Sequence, residues 1–331
     1  MNVLVTGGGG FLGGRVVRML LDRGDSVAVF GRSRYPQFDG TGVRCIQGDI
    51  RDTPTLQAAC TGMDAVVHTA GLPGIWGRKS DFWSINFDGT RSVLAACRAA
   101  GVSKLVYTST PSVVFGRDEL CGVDESQPYP KRYLTHYAAS KAAAEREVLA
   151  ANGPRLATIA MRPHLIWGPG DPHLIPRVIA RARAGRLRQV GAGGNLVDVT
   201  YIDNAARAHL LALDRLAANA PCAGRAYFIS QGEPVDLWPW LRQILSAVGI
   251  QGDLPRVSHR IAYVAGSLLE VVHKIARLRG EPLMTRFLAT QLAKSHYFSI
   301  AAARRDLGYS PWVSTETGLK RLTESFRPGI R

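Results

Sequence analysis

The stretch Val5-Thr6-Gly7-Gly8-Gly9-Gly10-Phe11-Leu12-Gly13 joins an apolar run typical of a β-strand to a run with helical spacing. Glycines at such a turn let the backbone bend tightly and approach a pyrophosphate, whose charge is met by the amides and dipole at the helix N-terminus. Two spacings fit, one starting at Gly7 and one at Gly8, and the sequence does not choose between them. The motif predicts a dinucleotide-binding turn with contacts from Gly7, Gly10, Phe11, Leu12 and Gly13.

The first half of the chain alternates β-rich and helical runs, which predicts a parallel sheet covered by helices on both faces. We predict strands at Asn2 to Thr6, Ser26 to Phe30, Val43 to Gln47, Ala65 to Thr69, Lys104 to Ser109 and Ala157 to Arg162. We predict helices at Phe11 to Arg23, Thr53 to Cys60, Phe82 to Ala100 and Thr135 to Asn152. The expected fold class is α/β, a doubly wound parallel sheet with a smaller C-terminal lobe that binds the substrate.

Turns rich in glycine and proline follow Arg162, beginning with Trp167-Gly168-Pro169-Gly170-Asp171-Pro172, and indicate where a second lobe begins. We expect residues 1–163 to bind the cofactor. Residues 164–331 would form mostly the substrate lobe, with part of 195–216 returning to the sheet.

The composition limits the classes of partner. With a net charge of +15 but no cluster of basic and aromatic residues, the chain is predicted to attract phosphates and carboxylates and to bind no nucleic acid.

Its five cysteines form no CxxC pair, which argues for free thiols and against a metal site. A strand at residues 2–6 leaves no place for a secretory signal, and no apolar run reaches the roughly 18 residues of a membrane span. We therefore expect a cytoplasmic protein.

The second predicted strand ends in Phe30-Gly31-Arg32-Ser33-Arg34, where dinucleotide sites usually carry a carboxylate for the adenosine ribose. Two guanidinium groups can instead hold a 2′-phosphate through forked hydrogen bonds, so Arg32, Ser33 and Arg34 predict NADP(H) over NAD(H). The alternative is that both arginines are solvated loop charges. After the third strand, Asp49 and Ile50 suit the amine and ring of adenine, or else form a simple turn.

Tyr137-Ala138-Ala139-Ser140-Lys141 lies in a predicted helix, where the i, i+4 spacing places the phenol and the ammonium on one face. An adjacent cation favours phenolate and would lower the high pKa of tyrosine. This spacing is common by chance, and it becomes specific only with the glycine turn and with Thr108-Ser109-Thr110 at the end of the intervening strand.

These three elements, in this order, resemble the extended short-chain dehydrogenase/reductases, a family with the Rossmann fold, over nearly the whole chain. The resemblance implies that Tyr137 is the catalytic acid-base and that Lys141 binds the nicotinamide ribose and lowers the tyrosine pKa. It implies that Thr110 holds the substrate oxygen, with Ser109 or Ser112 as alternative sources of that hydroxyl. It also implies cofactor contacts after the fourth and sixth strands from Thr69, Ala70, Gly71, Pro163 and His164.

Segments 194–204 and 224–234 resemble the 3β-hydroxysteroid dehydrogenase and sterol-4-carboxylate 3-dehydrogenase branch of that family. Segments 74–77, 107–113, 165–171 and 182–188 are similar to the bacterial 2-alkyl-3-ketoalkanoate reductases of long-chain olefin biosynthesis. The likeness implies NADPH-dependent reduction of a long-chain β-keto acid to a β-hydroxy acid. The alternatives are a steroid or sterol dehydrogenase working oxidatively and an inactive NADP-binding scaffold, the latter disfavoured because Tyr137 and Lys141 are both present.

Three further expectations concern surfaces. Segment 256–280 is basic and largely apolar, and could lie on a membrane, cap the substrate cleft, dock another enzyme of the olefin pathway, or simply face the core. Trp76 and Trp167 could form cleft walls or belong to ordinary packing. We also expect a homodimer.

Overall fold

The computed structural model describes residues 1–278 and 280–327. The strands are β1 (Asn2–Thr6), β2 (Ser26–Gly31), β3 (Arg44–Gln47), β4 (Ala65–His68), β5 (Lys104–Thr108), β6 (Leu120–Val123), β7 (Ala157–Pro163), β8 (Ile166–Trp167), β9 (Gln189–Val190), β10 (Leu196–Val197), β11 (Thr200–Tyr201), β12 (Arg225–Ile229), β13 (Val235–Asp236), β14 (Arg256–Val257) and β15 (His296–Phe298). The helices are α1 (Phe11–Asp22), α2 (Thr53–Cys60), α3 (Lys79–Phe82), α4 (Gly89–Ala100), α5 (His136–Ala150), α6 (Leu174–Arg183), α7 (Ile202–Arg215), α8 (Leu237–Ala247), α9 (His259–Ile275), α10 (Arg286–Ala293), α11 (Ala301–Leu307) and α12 (Thr315–Ser325).

Seven strands form one sheet in the order β12-β7-β5-β4-β1-β2-β3. Every neighbouring pair is parallel, which confirms the predicted doubly wound sheet. Chain order runs outward from β1 in both directions, so the carboxyl ends of β1 and β4 flank the point where the order reverses. Ligands of open α/β sheets bind in the crevice at such a point.

Apolar residues on both faces of the sheet explain its burial between two helical layers. In β1, Val3 and Val5 belong to the core cluster that holds the apolar side of α1 and α7. Leu4, between them, belongs to the cluster that includes α2, α4 and α5. Because successive strand residues point to opposite faces, one uninterrupted apolar run supplies both cores.

Three features of the central unit differ from the prediction or extend it. The helix predicted over Phe82 to Ala100 begins earlier as α3, continues as a π-helix at Trp83–Asp88 and becomes regular only in α4. The predicted division placed 225–229 in the second lobe, but β12 pairs with β7 at the edge of the central sheet. Gly24 and Gly101 have φ of +86° and +72°, which is the left-handed conformation expected past a helix end.

The remaining strands form a four-stranded sheet, β13-β10-β15-β6, and the pairs β11-β8 and β14-β9. Trp167 in β8 is fully buried against the rings of Tyr201 and Trp240, each 5.4 Å away between centroids. It is therefore a packing residue, and the interpretation of Trp167 as a cleft wall is wrong. Within residues 1–278 and 280–327, no helix has the length and apolar character needed to cross a membrane.

Candidate active site

One cleft runs over the carboxyl ends of the central strands, where the order of the sheet reverses. Most of the predicted site residues line it, namely Gly7, Gly10, Phe11, Leu12, Gly13, Arg32, Asp49, Ile50, Thr69, Ala70, Gly71, Ser109, Thr110, Tyr137, Lys141 and Pro163. The cleft also includes residues that the sequence analysis did not single out for the site, among them Tyr35, Leu72, Pro73, Ile85, Leu165, Ile166, Asp171 and His173.

The conformation of the glycine turn favours the spacing Gly7-x-x-Gly10-x-x-Gly13. Gly7 has a φ of +72°, and a Cβ there would lie 2.7 Å from the backbone nitrogen of Ala70. A Cβ at Gly13 would collide with the Gly7 carbonyl oxygen, and the Gly10 amide donates to that same oxygen at 2.9 Å. Gly7, Gly10 and Gly13 therefore form a close-packed cradle at the N-terminus of α1.

This cradle fits the pyrophosphate of a dinucleotide. Its floor is formed by backbone atoms, and any side chain at these glycines would occupy the space above them. The amides and dipole at the start of the 12-residue helix α1 face the same cleft. The residues that would hold the pyrophosphate are thus the turn glycines with Phe11 and Leu12.

The predicted phosphate-binding arginines are placed differently from each other. Arg32 lines the cleft, whereas Ser33 and Arg34 are exposed outside its wall. The side chain of Arg34 is 81% exposed, and its Nη2 lies 3.4 Å from Asp39 Oδ2. Tyr35, which the sequence motifs did not indicate, packs its ring against Gly9 and Gly31 and lines the cleft beside Arg32.

Asp49 lines the cleft but already has a partner. Its carboxylate accepts hydrogen bonds from Arg51 Nε at 2.8 Å and Nη2 at 2.6 Å. These hydrogen bonds lower its pKa to about 2, so Asp49 stays ionised as a hydrogen-bond acceptor. An acceptor is what the predicted contact with an adenine amine requires.

Helix α5 positions the acid-base pair. Tyr137 is partly exposed to the cleft, whereas Lys141, one turn later, is 6% exposed. Lys141 Nζ donates to the Thr108 carbonyl at 2.6 Å and lies 4.1 Å from the centre of the Tyr107 ring. Burial lowers the pKa of Lys141 to about 7, although the negative charge of Glu145 acts in the opposite direction.

The pKa of Tyr137 is raised above its ordinary value, whereas the sequence predicted a lowered pKa. Burial raises it, while hydrogen bonding with Thr110 acts in the opposite direction. The phenol therefore keeps its proton at neutral pH, which is the state of a proton donor.

Among the three candidate hydroxyls, Thr110 is the one that interacts with the Tyr137 phenol. Thr110 follows β5, lines the cleft, and its Oγ1 accepts from the Ser112 amide at 3.2 Å. Ser112 itself lies outside the cleft lining. Ser109 lines the cleft, and its buried hydroxyl has no hydrogen-bond partner in the described part of the chain.

Asn86 is a positioning residue that the motifs did not reveal. Its side chain is 1% exposed, accepts from the Leu72 amide at 2.7 Å and donates to the Leu72 carbonyl at 3.1 Å. It also donates to Ser140 on α5 at 3.1 Å. Asn86 thereby ties the cleft loop that follows Gly71 to the helix that carries Tyr137. It lies in the π-helical turn, whose register a regular helical pattern does not show.

A buried ion pair anchors the same side of α5, one turn beyond Lys141. Glu145 accepts from Arg162 Nε at 2.9 Å and Nη2 at 2.6 Å, and from the Tyr129 hydroxyl at 2.6 Å. Removing one partner of such a pair leaves an uncompensated buried charge. The network therefore fixes the helix one turn beyond Lys141.

At the carboxyl end of β7, Pro163 lines the cleft, whereas the His164 side chain is packed away from it. The His164 ring is buried against His296, with Nε2 and Nδ1 2.7 Å apart. Leu165 and Ile166 line the cleft instead. Leu165 has a φ of +39°, an unusual conformation for a non-glycine residue and one that occurs at functional sites.

Residues 4–257 match a model described as the 3-beta hydroxysteroid dehydrogenase/isomerase family. The chain is 51% identical to a 2-alkyl-3-oxoalkanoate reductase from Stenotrophomonas maltophilia, over 98% of this chain and 99% of the relative. It is 35% identical to a Mus musculus protein named sterol-4-alpha-carboxylate 3-dehydrogenase, decarboxylating, over 97% and 90% of the two chains. A structure of DesIV, a dTDP-glucose 4,6-dehydratase from Streptomyces venezuelae with NAD bound, superposes with a TM-score of 0.78 at 26% identity, over 99% and 98%.

Proposed function

The chain belongs to the 3-beta hydroxysteroid dehydrogenase/isomerase family, and we propose that it is an NADP(H)-dependent reductase of long-chain 2-alkyl-3-ketoalkanoic acids. The family and its relatives support an oxidoreductase that uses a nicotinamide dinucleotide and acts on a hydroxyl or ketone. The observation that carries the substrate assignment is the 51% identity, over nearly both full lengths, to a 2-alkyl-3-oxoalkanoate reductase. By the same likeness we assign it to long-chain olefin biosynthesis.

The chain's own residues supply binding and a proton. The nicotinamide, when bound in its reduced form, supplies a hydride to the ketone carbon. Tyr137 gives its phenolic proton to the oxygen that becomes an alkoxide, and the Thr110 hydroxyl positions that oxygen. Lys141 Nζ, held at the Thr108 carbonyl, places a positive charge near the phenolate that remains. The product keeps its carboxylate and carries a hydroxyl at C3.

NADP(H) is proposed over NAD(H) because Arg32 lines the cleft at the end of β2, where no carboxylate stands. A guanidinium matches a phosphate through forked hydrogen bonds. Arg34, outside the cleft wall, would contribute less than Arg32.

The cleft combines apolar walls with positive charge, as a fatty keto acid requires. Apolar side chains in its lining include Leu72, Pro73, Ile85, Leu165 and Ile166. Outside the cleft lining, positive charge lies near the catalytic helix, because the pKa of His136, next to Tyr137, is lowered by burial and by the charges of Lys274 and Lys79. Positive charge there would attract a carboxylate. Reduction also removes the ketone that would accept the electrons of a departing carboxylate, so the product acid is protected from decarboxylation.

The second candidate is a sterol-4-carboxylate 3-dehydrogenase, favoured by the 35% identity to the Mus musculus enzyme of that name. Both candidates interconvert a β-hydroxy acid and a β-keto acid that has a branch at the α-carbon. They differ in whether the apolar part of the substrate is a pair of flexible chains or a rigid ring system.

A series of 2-alkyl-3-hydroxy acids that differ only in tail length tests the proposal in the oxidative direction, with NADP reduction as the readout. Because a buried CH₂ contributes about 0.8 kcal/mol, kcat/KM should rise by up to about fourfold per methylene until the cleft is filled. The methyl ester of each acid is the control for the charge, and it should be the poorer substrate. A flat series, or esters that equal the acids, would contradict the proposed substrate.

A further inference from the structure

Helix α9 presents an apolar stripe to solvent. Six of its aliphatic side chains are about half exposed or more, namely Ile261 (63%), Val264 (52%), Leu268 (63%), Val271 (50%), Val272 (49%) and Ile275 (79%). At 3.6 residues per turn these positions fall within an arc of about 100°. Leu278 and Leu283, at 48% and 58%, extend the apolar surface beyond the helix.

The opposite face of α9 packs tightly against the rest of the protein. The helix is therefore in its proper position, and the stripe faces solvent for that reason. Ala262, Gly266 and Glu270 are its buried residues. A Cβ at Gly266 would lie 2.6 Å from the Thr285 backbone, which shows how closely the helix is seated. Glu270 accepts from the Arg286 amide at 2.8 Å and pairs with its guanidinium at 2.7 Å.

The charges beside the stripe are positive. Arg260, Lys274 and Arg277 are exposed around it. The one acidic residue of α9, Glu270, is buried in its ion pair. Lys274 Nζ also lies 5.9 Å from the centre of the Trp76 ring, and together with Lys79 its charge reaches His136, the neighbour of Tyr137. The basic border thus extends from the stripe toward the catalytic helix.

We propose that the apolar stripe of α9 docks this protein on the surface of a bilayer that contains anionic lipids. Apolar side chains of an interfacial helix enter the boundary between headgroups and acyl chains, while flanking lysine and arginine contact anionic headgroups. A second copy of the chain fits the surface less well, because pairing two stripes would bring borders of the same charge together. This inference does not depend on the proposed substrate.

Co-sedimentation of the full-length protein with vesicles tests the docking. Binding to vesicles of phosphatidylcholine mixed with phosphatidylglycerol should exceed binding to phosphatidylcholine alone, and it should fall as salt is added. The double variant Leu268→Glu/Ile275→Glu should lower the partition coefficient by about tenfold or more. Trp312→Glu, a similarly exposed apolar residue outside the stripe (59%), is the matched control and should bind like the wild type.

Arg260→Glu tests the electrostatic part and should weaken binding only to the anionic vesicles, with Arg98→Glu on α4 as its control. Melting temperature and dinucleotide binding of each variant verify the fold. A wild type that does not sediment with anionic vesicles would overturn the proposal. So would a stripe variant that sediments normally but changes the oligomeric state in light scattering, since the stripe would then be a protein interface.

Discussion

Lys141→Met should stabilise the cofactor-free protein while abolishing its chemistry. The lysine is 6% exposed, and burial lowers its pKa from the ordinary 10.5 to about 7. One pKa unit corresponds to about 1.4 kcal/mol, so the buried ammonium costs the folded state about 5 kcal/mol below pH 7. Losing the hydrogen bond to the Thr108 carbonyl would subtract about 1–3 kcal/mol. The expected net gain is about 2–4 kcal/mol at pH 6.

The pH dependence distinguishes this electrostatic effect from better packing. Between pH 7 and 10.5 the unfolded chain holds the proton that the folded lysine has lost, so the wild type gains stability as the pH rises through this window. The advantage of the variant should therefore shrink above pH 7 by about 1.4 kcal/mol per pH unit and be gone between about pH 8.5 and pH 10.

The measurement is the free energy of unfolding in urea without cofactor, at pH 6, 8 and 10. Lys320→Met, which removes an exposed lysine on α12, is the matched control and should change the stability by less than about 0.5 kcal/mol. A Lys141→Met variant that is less stable than the wild type at pH 6, or a gain that does not change with pH, would show that burial of the ammonium does not destabilise the folded state.

Three further substitutions test separate parts of the cleft. Tyr137→Phe should lower turnover about 10²- to 10⁴-fold while the dinucleotide still binds in a fluorescence titration, and near-normal turnover would mean that the proton comes from another group. Arg32→Ala should weaken NADPH binding about 10- to 100-fold with little effect on NADH, and more than Arg34→Ala does, whereas equal losses for both cofactors would remove the NADP argument. Gly13→Ala should abolish binding of both cofactors in calorimetry because its Cβ would meet the Gly7 carbonyl, and retained affinity would contradict the cradle.

The sequence predicted the sheet and the glycine turn because both depend on local patterns. Continuous apolar runs such as β1 indicate strands buried on two faces, and the turn glycines are required by backbone approach. Strand β12 was missed because it reaches the sheet edge from far along the chain, where no spacing indicates its pairing with β7.

Side-chain placement within the cleft was less predictable. Asn86 depends on a π-helical turn, and Tyr35 enters the cleft only because its ring folds back over the glycines. At the end of β7, the His164 ring pairs with His296, which is far away in the sequence, and Leu165 lines the cleft instead. The pKa of Tyr137 could not be derived from the i, i+4 spacing, since it depends on burial and on hydrogen bonding with Thr110.

The most direct test of the proposed function is a competition in one reaction mixture. The enzyme is given NADP, a racemic long-chain 2-alkyl-3-hydroxy acid and an equimolar 4-carboxy-3β-hydroxysterol, and both ketone products are quantified by mass spectrometry. The proposed function predicts the ketone derived from the branched acid as the dominant product, with at least about a hundredfold less formed by Tyr137→Phe. A product mixture dominated by the sterol ketone, with the branched acid unchanged, would contradict it.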